Sequence, residues 1–133
     1  MIRYQAGYKY QLAELYTVFT DIKPTGSLDH EFIRLDSSGW LKIKSGYAWD
    51  GPSGPTVDSK NFMRGSLVHD ALYQLMREGL LPESCREQAD NELRRICRED
   101  GMSWLRAWYV FKAVRNFGSS SAALAPDPIL EAP

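Results

Sequence analysis

Near residue 60 the apolar residues change period, and that change splits the folding problem in two. Before it, aromatic and β-branched residues alternate with turn signals; after it, apolar residues recur at helical spacing. In the first part, residues 9–13 and 16–19 read as strands and residues 21–26 as a loop. Residues 32–35 and 40–44 flank Asp36-Ser37-Ser38-Gly39, the composition of a hairpin turn. Trp40, Lys42 and Lys44 alternate with Leu41 and Ile43, the pattern of an antiparallel sheet wet on one face. The stretch from Gly46 to Pro55 is too dense in Gly and Pro for a helix and reads as an ordered loop.

Three helices follow. The first spans about Asn61 to Glu78, with Leu67, Val68, Ala71, Leu72, Leu75 and Met76 as its apolar stripe and Gly79 as a C-cap. The second opens on Ser84-Cys85-Arg86-Glu87, a capping box in sequence, and ends before Gly101; its stripe is Ala89, Leu93, Ile96 and Cys97. The third spans about Ser103 to Phe117, with a stripe of Trp104, Trp108, Phe111 and Val114, and Gly118 closes it. The expected architecture is α+β: a small antiparallel N-terminal sheet packed with about three C-terminal helices. Residues 1–118 form one domain and residues 119–133, rich in Ser, Ala and Pro, a loose C-terminal tail.

A chain of 133 residues is long enough to bury a core without disulfides or metals. Sixteen Lys and Arg balance seventeen Asp and Glu, which argues against a nucleic-acid partner. No stretch has the length and apolarity of a transmembrane segment, and the opening Met1-Ile2-Arg3-Tyr4-Gln5 lacks the apolar core of a secretory signal. Cys85 and Cys97 lie twelve residues apart in one expected helix, roughly 18 Å, too far for a disulfide. Neither has a zinc-ligand spacing.

The residues that carry chemistry fall between Trp49 and Asp90. His69 and Asp70 lie midway along the first helix, with Tyr73 one turn after His69 on the same face. Asp90 borders the apolar stripe of the second helix, where an unpaired carboxylate is costly. Antiparallel packing of the two helices would set Asp90 beside His69, fixing the imidazole tautomer and raising its basicity. Asp70 would then face the Gly-rich loop, where a carboxylate and backbone carbonyls make the oxygen shell that calcium prefers. Plainer readings use the same residues. Tyr73 is then core, Asp90 pairs with Arg86, Arg94 or another surface cation, and the Gly-Pro loop is only a crossover. A metal-dependent phosphohydrolase of the His-Asp type needs more His and Asp ligands, and the one other histidine, His30, lies in the β-rich half. The spacing around Ser53 does not fit a serine nucleophile elbow.

Two resemblances attach to these residues. Over residues 8–118 the chain resembles a family of tailed bacteriophages and prophages known as domain of unknown function 1353. The resemblance rests on the run from Gly46 to Ser53, His69-Asp70-Ala71-Leu72-Tyr73, Arg86 with Ala89-Asp90, and Gly101, Trp104, Ala113-Val114-Arg115 and Phe117-Gly118. It implies a phage setting and no particular activity. Over about 45 residues the chain is also similar to the disulfide-free phospholipase A2 domains of parvovirus capsids. There the counterparts are the Gly51-to-Pro55 loop, His69-Asp70-Ala71-Leu72-Tyr73 and Ala89-Asp90, with Ser53 interrupting the Gly-Pro-Gly pattern.

That second similarity implies that His69 activates a water, Asp90 orients His69, and Tyr73 supports Asp90 by a hydrogen bond. It further implies that Asp70, with loop carbonyls at Trp49 and Gly51, holds a calcium ion that polarises an ester carbonyl. The expectation is a phage- or prophage-encoded, calcium-dependent, phospholipase-like hydrolase acting on a phospholipid or other ester, in the host cytoplasm or on the virion. The rival is a non-enzymatic virion, tail or lysis-region component, or a module that binds a phage or host protein. Trp104, Trp108 and Tyr109 would then be a partner-facing patch; the ordinary expectation is that this aromatic helix covers the sheet.

Overall fold

A computed structural model of the chain describes residues 4–5, 10–49 and 60–117. The loop expected from Gly46 to Pro55 is corrected in its first part, where Ala48 and Trp49 pair with Gln11 and Tyr10 as a strand; its residues from 50 on, the cap at Gly118 and the tail expected over residues 119–133 lie outside the described residues.

The chain is α+β, with strands first and helices last. The strands are β1 (Tyr4–Gln5), β2 (Tyr10–Leu12), β3 (Tyr16–Phe19), β4 (Leu28–Asp29), β5 (Ile33–Leu35), β6 (Trp40–Ile43) and β7 (Ala48–Trp49). They form two small antiparallel sheets where the sequence suggests one: β1-β2-β7 and β3-β6-β5-β4. The division falls at residues 13–15, all exposed, where the chain leaves one sheet for the other. Strict alternation in β5 and β6 buries Ile33, Leu35, Leu41 and Ile43 and exposes Arg34, Trp40 and Lys42, as the pattern requires. On the wet face Phe19 and Trp40 face each other in register, their rings 5.3 Å apart edge to face.

The β5–β6 turn is closed by its own residues. The Asp36 carboxylate accepts the Ser38 and Trp40 amides at 2.9 and 3.0 Å. Gly39 sits at φ +99°, and a Cβ there would lie 2.3 Å from the Thr20 carbonyl oxygen. Only glycine fits.

The helices are α1 (Lys60–Arg77), α2 (Arg86–Glu99) and α3 (Trp104–Phe117). The buried stripes of α1 and α2 are those the periodicity predicts, and Gly79 ends α1 at φ +75° with its amide on the Met76 carbonyl. Two expectations are corrected. Ser84 makes no cap: a 3-10 turn, Glu83–Cys85, precedes α2 and its own backbone bonds satisfy the Cys85 and Arg86 amides. The buried face of α3 is Ala107 and Val110 with half-buried Val114, whereas Trp104 and Trp108 of the expected stripe are exposed. The helix is apolar on nearly every side, so its pattern could not select the face. It packs on α2 and does not cover the sheet.

One large core joins the inner faces of both sheets to α1 and to Ala89 and Ile96 of α2. A smaller one, Phe62, Leu93, Cys97, Met102, Ala107 and Val110, holds α3 on the other side of the helical layer. Polar pins lock the layers. Glu92 of α2, buried, accepts the Asp21 amide at 2.8 Å, and Arg95 bridges Glu92 to the Phe19 carbonyl. Arg64 of α1 reaches Tyr16 of β3 and Glu99 and Asp100 at the end of α2. No described helix is long and apolar enough to cross a membrane.

Candidate functional site: a buried aspartate shared by three helices

Early residues of α1 meet late residues of α2, so the two helices run antiparallel. Gly65 abuts Leu93 and Cys97, while His69 and Tyr73 reach Asp90. A Cβ on Gly65 would come within 2.8 Å of Cys97 Sγ and 3.0 Å of Leu93 Cδ1, so the missing side chain sets how closely the helices cross. That close crossing brings His69 and Asp90 within hydrogen-bond reach.

Asp90 is fully buried, and both its oxygens are used. His69 Nε2 lies 2.7 Å from Oδ1, and the Tyr73 hydroxyl donates to the same oxygen at 2.5 Å. Arg115, from the last turn of α3, donates to Oδ2 at 2.9 Å, and Arg86, one turn before Asp90, stands 3.8 Å from it. The Tyr73 ring also packs on the imidazole, with centroids 4.1 Å apart.

Burial by itself raises the carboxyl's pKa; the hydrogen bonds from His69, Tyr73 and Arg115 and the charge of the imidazolium outweigh it and hold Asp90 below its usual range. Burial, then the hydrogen bond to Asp90 and its negative charge, push the Tyr73 phenol well above its ordinary value. Asp90 is therefore the anion and Tyr73 the neutral donor. An ionised carboxylate only accepts hydrogen bonds, so His69 Nε2 carries a proton toward it. In the neutral ring the basic lone pair then sits on Nδ1.

The structure thus brings together all three residues assigned to catalysis, His69, Asp90 and Tyr73. Asp90 does have Arg86 as a neighbour, as the plainer reading expected, but in a buried cluster and not on the surface. Arg115 was no part of either site reading. It is 25 positions from Asp90, and only the return of α3 along α2 makes them neighbours. Arg86 fixes that return, its guanidinium bonding the Val114 and Arg115 carbonyls at the end of α3.

The residues assigned to a metal are placed only in part. Trp49 is buried at the end of β7, and its indole N–H donates to Ser66 on α1 at 3.1 Å. Ser66 precedes Asp70 by one helical turn, so the strand docks on α1 next to the turn that carries Asp70, which is half-buried. Gly51 lies outside the described residues. Among the described residues no cluster of three or more His, Cys, Asp or Glu could hold a metal. An oxygen site of one carboxylate and backbone carbonyls is not a cluster of that kind.

Comparison with known proteins returns no matching family model, no matching curated protein and no matching solved structure.

Proposed function

We propose that the chain is a phage- or prophage-encoded ester hydrolase of the phospholipase A2 type, with His69 as general base. The observation that carries this reading is the buried carboxylate that holds His69 by Nε2 and so assigns the basic nitrogen to Nδ1. In the proposed reaction His69 Nδ1 takes a proton from a water as its oxygen attacks the ester carbonyl. Asp90 stabilises the imidazolium so formed, and the proton passes on to the leaving alkoxide. Tyr73 and Arg115 keep Asp90 ionised and aimed; they are positioning residues. Asp70, with the carbonyls of Trp49 and Gly51, would hold a calcium ion, which when bound supplies positive charge to the ester carbonyl.

The test is hydrolysis of phospholipid vesicles by the full chain in calcium and in EDTA, with calorimetric calcium titration of Asp70→Asn alongside. Hydrolysis should need calcium and fall at least about a hundredfold in His69→Ala, at temperatures well below the variant's melting point. Asp70→Asn should lose the binding heat. Activity unchanged in His69→Ala would overturn the assignment of the base, and no binding heat in the parent chain would remove calcium from it. A second reading, a non-enzymatic component of a virion, tail or lysis region that binds a phage or host protein, draws on the exposed aromatic face of α3.

A further inference from the structure

The outer face of α3 has the wrong chemistry for a helix that meets only water. Trp104, Leu105, Trp108 and Tyr109 are all exposed, between 41% and 67%. At about 100° per residue they cover a stripe about 140° wide, opposite the buried Ala107 and Val110. An apolar patch of this kind marks an interaction surface. Charge does not choose what covers it. The cleft beside Trp104 carries both signs, Asp21 and Glu92 with Arg94 and Arg98. Arg106 lies off the stripe, half-buried, and is engaged within its own chain. A rim of mixed sign around an aromatic centre is the anatomy of a protein–protein interface.

Symmetry and area identify the occupant. The four residues are symmetric in spacing about the midpoint between Arg106 and Ala107. A second α3 lying antiparallel across a two-fold axis at that midpoint sets Leu105 against the copy's Trp108 and Trp104 against the copy's Tyr109. Lys112 continues the stripe, its ammonium 6.0 Å from the Trp108 ring centroid. In this pairing its own copy stands roughly 16 Å away along the helix, well beyond the Debye length of about 8 Å. Each lysine lies toward the exposed turn at the copy's Gly101. At the observed exposures, and about 150–250 Å² for each aromatic side chain, the four residues present about 400–500 Å² per copy. Two copies therefore bury about 800–1,000 Å² from these side chains alone, and the rim takes the total past the roughly 1,000 Å² that a specific interface needs.

We propose that this face is the two-fold interface of a homodimer, with α3 packed antiparallel on α3 of a second copy. The contact is isologous, so one patch that matches itself under the axis is all it requires. It also covers the outside of the helix that the smaller core holds, and so steadies Arg115 on Asp90. The dimer stands apart from the hydrolase reading, because it needs neither His69 nor calcium.

The test is sedimentation velocity of the full chain from about 1 to 100 μM, the weak end of the range in which interfaces of standard size associate. The parent chain should pass from monomer to dimer as its concentration rises. Leu105 lies close to its own copy across the axis, so Leu105→Glu and Leu105→Lys should each raise the dimer Kd at least about tenfold by like-charge repulsion. An equimolar mixture of those two variants should recover a dimer at concentrations where neither alone forms one. Circular dichroism checks that each variant is folded; joint Trp104→Ser and Trp108→Ser, which should also raise the Kd at least about tenfold, serves if they are not. A parent chain that stays monomeric across the range overturns the proposal. So does a dimer unchanged in all of these variants, which would form through another face. Association that the single variants abolish and the mixture does not restore overturns the two-fold pairing.

Discussion

At the scale of single residues, one buried carboxylate organises the candidate site, and its electrostatics make a sharp prediction. Asp90 is held below the usual carboxylate range by the donors that face it, so it is ionised more easily in the folded chain than in the unfolded one. Such a group contributes stability that is complete above its unfolded value, about 3.9, and is lost as the pH falls through its lower folded value. Urea melts in a pH series should therefore show a steep loss of stability below about pH 4, and Asp90→Asn should flatten that limb. Above it, Asp90→Asn should cost about 3–5 kcal/mol, because the guanidiniums of Arg115 and Arg86 lose their counter-ion in a buried place. A variant as stable as the parent at neutral pH would show that the cluster is solvated. His69 is itself buried against Asp90, so its removal lowers stability on any reading, and only turnover separates a base from a structural histidine. Residue types and spacing made His69, Tyr73 and Asp90 legible in the sequence: one turn separates the first two, and Asp90 borders an apolar stripe. Arg115 was not legible, because nothing local to it refers to a carboxylate 25 positions away.

At the scale of elements, the α1–α2 crossing is the device that makes the site, and Gly65 is its contact point. Alanine there gains about 1 kcal/mol of helix propensity, yet its Cβ meets Cys97 Sγ, Leu93 Cδ1 and the Leu93 carbonyl oxygen within 3.3 Å. Overpacking should win, so Gly65→Ala should destabilise by about 1–2 kcal/mol net in denaturant melts and lower any turnover that depends on His69 meeting Asp90. A more stable Gly65→Ala would mean that the helices separate at little cost. The elements also show where pattern was enough. Residues 16–19 form the expected strand to the residue, and α1 ends at its expected glycine. The face of α3 and the cap of α2 were not readable. An all-round apolar helix has no preferred side, and a 3-10 turn supplied the hydrogen bonds that the Ser84 hydroxyl was expected to make.

At the scale of the whole molecule, two cores of unequal size lie on either side of the α1–α2 layer, and the smaller one holds α3. That arrangement predicts that α3 opens at lower cost than the sheet does. Cys97 reports on it. The thiol is fully buried in the smaller core, and burial pushes its pKa up to about 12, so it is inert until the core opens; Cys85 is half-buried and free. In thiol-labelling kinetics Val110→Ala should accelerate modification of Cys97 about tenfold, with a smaller effect on Cys85. Equal acceleration of both would show that the chain opens as one unit. The sequence alone determined the α+β class, the order of strands before helices, the free cysteines and the membership of the His69, Tyr73 and Asp90 set, because periodicity and local spacing are properties of neighbouring residues. Only the tertiary structure decided that the strands form two sheets, that α3 turns its aromatic residues outward, and that Arg115 completes the shell of Asp90. Those outcomes depend on which surfaces meet across long sequence separations, and that choice is made by packing.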